Sequence, residues 1–117
     1  NIGVEKIVLT HPIYGPIDMP VGVQKELAEN DGVFVEELYA MNRIDGIPVD
    51  EIAEQIREVG PENVVLGSDM GQVGNPSSSE ALKIFAEALM EEGFIEKEIR
   101  TMTVRNPAEV LDLEVLR

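Results

Sequence analysis

The chain has 117 residues, with nine basic against 23 acidic side chains, a formal charge of −14 and no cysteine. That charge repels nucleic acid and anionic membranes, and it favours cations or simply keeps the chain in solution. With no thiol there are no disulfides or thiolate metal sites, so any metal here must use oxygen and imidazole ligands.

No apolar run is long enough to span a bilayer, and no charged-then-apolar leader is present. A reducing, cytoplasmic location is compatible with this composition. Residues 1–117 amount to one domain's worth of chain. A start at Asn1 rather than Met leads us to expect a processed, trimmed or excised segment.

In chain order, Val4 to Thr10 reads as a short buried strand that stops at His11-Pro12, because the proline pushes His11 towards extended geometry. The proline-rich loop 12–20 leads to a helix at about 21–30, with Val23 and Leu27 as its apolar stripe and Asn30-Asp31-Gly32 as its end. Val33 to Leu38 is the second strand. A looser segment through Asn42 and Gly46 precedes a helix from Val49 to Val59, in which Ile52, Ile56 and Val59 have helical spacing. Val64 to Ser68 is the third strand. Ser77 and Glu80 have the spacing of a capping box, followed by a helix faced with Leu82, Phe85, Ala86, Leu89 and Met90 and closed by Gly93. A helix over 96–105 should break at Asn106-Pro107, where Asn106 can cap a last short helix.

The order β-α-β-α-β-α-α, with nearly continuous apolar strands, indicates an α/β protein whose parallel sheet is covered on both faces. Three strands alone leave two open edges, so more strands are expected from elsewhere.

Each strand delivers a candidate ligand at its carboxyl end: His11, Glu36 and Asp69. Alternation puts His11 with Leu9 and Ile7, Asp69 with Gly67 and Val65, and Glu36 with Phe34. Glu37 falls on the face opposite Glu36, and sequence does not choose which of the two carboxylates turns inward. One imidazole and two carboxylates suit a divalent ion such as Zn, Mn or Mg. Such an ion would acidify bound water, and Asp69 could accept its proton. Each residue also has a plainer reading: His11 as a hydrogen-bonding group, Asp69 as a loop cap, Glu36 as one acid among many. Tyr14, Gln72 and Asn75 are candidate substrate contacts, or turn-shaping residues, and Arg43 is a candidate anion site or surface ion pair.

These residues carry a resemblance. Leu-Thr-His-Pro at 9–12, Gly-Val-Phe-Val-Glu at 32–36, Gly-Ser-Asp-Met-Gly-Gln at 67–72 and Asn75-Pro76 resemble the final third of the amidohydrolase-superfamily metal-dependent hydrolases. The tail of Gly93, Ile99, Asn106-Pro107-Ala108 and Leu111 fits the same pattern, closest to an uncharacterised branch. The resemblance implies the last three β/α units of a (β/α)8 TIM barrel. It also implies His11 as a ligand for metal or substrate, and Asp69 as metal ligand and general base. Glu36 matches no standard ligand of the family, so its role rests on geometry.

The family's first-strand His-x-His pair and the bridging Lys or Glu are absent. A companion polypeptide or a missing amino-terminal segment must therefore supply the other strands, in an oligomeric assembly. Without it, barrel-facing residues such as Ile7 and Val65 would stay wet at about 1.5–3 kcal/mol each. The expected function is a metal-dependent hydrolase acting on an amide, ester, lactone or phosphoester. The alternative is a non-enzymatic acidic α/β module that binds a divalent cation or a protein partner.

Overall fold

A computed structural model describes residues 3–115. It is a small α/β domain built on a three-stranded parallel sheet with the order β1-β2-β3, where β1 is Ile7–Thr10, β2 Val33–Leu38 and β3 Val64–Gly67. The register sets Ile7 against Val33, Thr10 against Glu36, Glu36 against Val65 and Leu38 against Gly67. β1 is shorter than the sequence reading because its partner begins only at Val33. Val4 to Lys6 have no strand residue opposite them, and the Ile7 N–H bonds to the Gly32 carbonyl where the ladder opens.

Parallel strands in sequential order, joined by crossovers that as a rule are right-handed, place the connecting helices on one side of the sheet. That layer holds α1 (Val21–Ala28), α3 (Val49–Val59) and α4 (Ser78–Glu91). Its core joins Val35, Val64 and Leu66 of the sheet to Ile52, Ile56, Phe85 and Leu89 of the helices, all fully buried or nearly so. α3 and α4 follow their sequence patterns. Ser77 caps α4 through its hydroxyl while the Glu80 carboxylate accepts from the Ser77 N–H, completing the capping box. At the other end of α4, Met90 is turned outward.

α1 departs from its pattern. Val23 and Leu27 are 42% and 37% exposed, and it is Gln24 and Ala28 that are buried. The Gln24 amide donates to the Met19 carbonyl and to Gln55 Oε1 of α3 at 2.9 and 2.8 Å, so a polar clamp sets the rotation of this helix. The looser segment after β2 contains a helical turn, α2 (Tyr39–Arg43), with Tyr39, Ala40 and Met41 buried.

The opposite face of the sheet carries Val8, Phe34, Glu36 and Val65. It is covered only in part, by Pro107, Val110 and Leu111, rather than by a full second helical layer. Register places Ile7 and Val65 on opposite faces, so they do not form one barrel-facing set. The tail does not break at Asn106. α5 (Glu96–Arg100) passes through a π-helical stretch, Thr101–Arg105, directly into α6 (Asn106–Val110). A proline lacks the N–H of a regular turn and crowds the carbonyl before it, and the wider π turn accommodates Pro107 without ending the helix. Asn106 caps nothing; its amide donates to the carbonyls of Pro61 and Val64, at 2.9 and 2.7 Å, and ties the tail to the start of β3.

Candidate functional site

The parallel strands end together, and the residues just beyond them form the site. His11 follows β1 directly. Its N–H continues the ladder to the Glu36 carbonyl at 2.9 Å, and its own carbonyl receives the Tyr14 N–H at 3.0 Å. Past β3, the Ala40 N–H holds the Ser68 carbonyl at 3.1 Å, so Asp69 leaves the sheet from a fixed point. Both residues have left-handed backbones, with φ of 35° at His11 and 52° at Asp69. That region is uncommon for most side chains with a Cβ, although Asp and His enter it more readily than others, and Asp18 and Asp112, outside the cleft lining, share it. The turn at His11 also replaces the extended geometry expected before Pro12, which resets where its ring points.

The two side chains line one cleft of about 260 Å³ with Tyr14, Gln72 and Asp45, against a wall of Ala40, Met41 and Ile44. Tyr14 meets the His11 ring edge to face, with centroids 5.2 Å apart and planes at 64°. The Gln72 amide donates to the Asp69 carbonyl at 3.3 Å. His11 Nδ1 is shut off from solvent and has no hydrogen-bond partner.

Four of the candidate residues, His11, Asp69, Tyr14 and Gln72, therefore share one cleft, and two do not. Asn75 Oδ1 accepts from Arg43 Nε at 3.3 Å away from the cleft lining, which gives Arg43 an amide partner rather than an ion pair. Glu36 lies on the partly covered sheet face, beside a second cavity of about 180 Å³ with Val8, Val65, Pro107, Val110 and Leu111. Glu37 is fully buried beneath the helices, and both its carboxylate oxygens lack a partner. Burial alone pushes its pKa from an ordinary 4.5 up to about 8. The open choice between Glu36 and Glu37 thus resolves to neither, since neither lines the His11 cleft.

Asp45, Met41 and Ile44 were not anticipated. They reach the cleft because α2 turns the chain back over the strand ends, and its five residues are too short for periodicity to show.

A zinc site is built from three or four protein donors in reach of one point. Among the described residues no group of three or more His, Asp or Glu side chains could hold a metal ion. His11, Glu36 and Asp69 consequently do not fit a metal as a set within this chain. No described helix is long and apolar enough to cross a membrane. Comparison with family models, curated proteins and solved structures returns no match.

Proposed function

We propose that the chain is the catalytic rim of a hydrolase, corresponding to the last three β/α units of a TIM barrel. The single observation that carries this reading is the convergence of His11 and Asp69. They come from the ends of the two outer strands, both in left-handed backbones, into one cleft at the carboxyl edge of a parallel sheet. That edge is where α/β folds place their chemistry.

In this cleft the Asp69 carboxylate takes a proton from water as the water oxygen bonds to the carbonyl carbon of an ester, lactone or amide. The displaced electron pair moves onto the carbonyl oxygen, where an N–H of His11 stabilises it with help from Tyr14 or Gln72. Collapse expels the leaving oxygen or nitrogen, which takes the proton back from Asp69. No three-ligand group for a Zn, Mn or Mg ion occurs among the described residues, so no step is assigned to one.

Among the described residues β1 and β3 each pair on one side only. A companion polypeptide, or further strands of a longer chain, would complete the sheet there. The test is an ester, lactone and amide hydrolysis panel, run with and without Zn, Mn or Mg. Asp69→Asn should lower the rate by about 10²–10⁴-fold. Hydrolysis that is unchanged in Asp69→Asn would remove the reading.

The alternative, a non-enzymatic acidic module that binds a cation or a protein partner, is favoured by one observation. The tail already covers part of the sheet face that carries Val8, Glu36 and Val65. A cooperative monomer with no activity on the panel would support it.

A further inference from the structure

The residues that line the His11 cleft sort its ligands by charge. Asp45 and Asp69 are both in the lining, and no Lys or Arg is. The one arginine nearby in sequence, Arg43, is engaged by Asn75 and is absent from the lining. Beside the two carboxylates stand the Tyr14 ring, a surface that attracts cations, and the apolar wall of Ala40, Met41 and Ile44. The whole chain, at −14, draws cations towards this mouth and repels anions. At about 260 Å³ the cleft lies below the roughly 300–1,000 Å³ of a drug-sized pocket, so its ligand is small.

We propose that the cleft takes a small organic cation, an ammonium group on a short apolar stem, with the ammonium between Asp45 and Asp69 and the stem against Met41 and Ile44. This rests on the hydrolytic reading for the step that follows binding, and it narrows that reading's substrates to ammonium-bearing esters or amides. Phosphoesters drop out, because two carboxylates and no fixed cation oppose a phosphate. Two carboxylates and a ring face suit an ammonium, and the apolar wall beside them suits its stem, which a hydrated metal ion would leave unused.

The experiment titrates the 117-residue chain with benzylamine, benzyl alcohol and benzoate, which share a ring and differ in charge. Amide chemical shifts and calorimetry give the affinities. Benzylamine should bind most tightly and shift signals at Tyr14, Met41, Asp45 and Gln72, while benzoate should leave them unmoved. Asp45→Asn should weaken benzylamine about tenfold. Asp31→Asn, which removes the same charge at the opposite end of the sheet, should not. Equal binding of benzoate and benzylamine, or equal losses in the two variants, would overturn the proposal. Hydrolysis is read separately on the neutral and ammonium-bearing esters. Tight benzylamine binding without turnover removes the hydrolytic reading alone. Turnover that favours the neutral or anionic ester removes the cation preference alone.

Discussion

The two ends of the sheet are built to opposite specifications. At the amino end, beside a cavity of about 350 Å³ lined by Gly32, Phe34 and Asn63, two points of close approach anchor the chain. Asn106 closes on two carbonyls at the start of β3, and Gly32 lies so close to Glu5 that a Cβ there would fall 2.0 Å from the Glu5 carbonyl oxygen. The carboxyl end keeps what a merely stable protein would remove. It holds left-handed backbones at His11 and Asp69, an unpartnered imidazole nitrogen, and near the end of β2 a buried carboxyl with neither oxygen bonded. One orphan falls outside the pattern: Gln24 Oε1, whose amide nitrogen is nonetheless doubly bonded.

The largest test of that contrast is Glu37. Its folded pKa, about 8, lies above its ordinary 4.5, so the folded state holds the proton more tightly than the unfolded chain. Stability is then fully present below about pH 4.5, declines as pH rises towards about 8 and levels off above it, a loss on the order of a few kcal/mol. Urea unfolding across that range should show the decline, and Glu37→Gln should flatten it. A slope that survives Glu37→Gln would assign the effect to other groups.

Asn106→Ala comes next. It removes two hydrogen bonds, one at the Val64 carbonyl and one at the Pro61 carbonyl, which keeps its bond from the Val64 N–H, and should lower stability by about 2–3 kcal/mol in denaturant melts. Gly32→Ala should follow at about 1–3 kcal/mol, since φ of 80° and the approach to Glu5 both oppose a methyl group. If either change proves neutral, the amino end is not the anchored end.

The smallest effect has the opposite sign. Asp69→Gly and His11→Gly relieve left-handed backbones and should each raise stability by up to about 1 kcal/mol while removing the proposed hydrolysis. A loss of stability in both would mean that the cleft residues hold the fold together rather than strain it.

Much of this fold is legible along the chain, because some patterns depend only on neighbours. The α3 stripe, the Ser77–Glu80 capping box and β2 from Val33 to Leu38 all have the bounds that periodicity and capping chemistry suggest. α1 misleads because hydrophobicity is a poor guide where a buried amide has partners. Nothing near Gln24 in sequence announces Gln55, 31 residues away. The Asn106-Pro107 pair misleads for a related reason. A local rule reads it as a break, but bonds to carbonyls more than 40 residues earlier make it a splice between helix and sheet.

Residue order alone settled the alternation of strands and helices, the acidic surface, and the placing of His11 and Asp69 just past the ends of their strands. Those features follow from side-chain volume, charge and turn chemistry, which act over a few residues. Only the tertiary structure decided that His11 and Asp69 share a cleft with Asp45, and that Glu36 and Glu37 go to opposite sides of β2 and away from it. Register and backbone twist make those choices, and both are set by contacts between segments far apart in the chain.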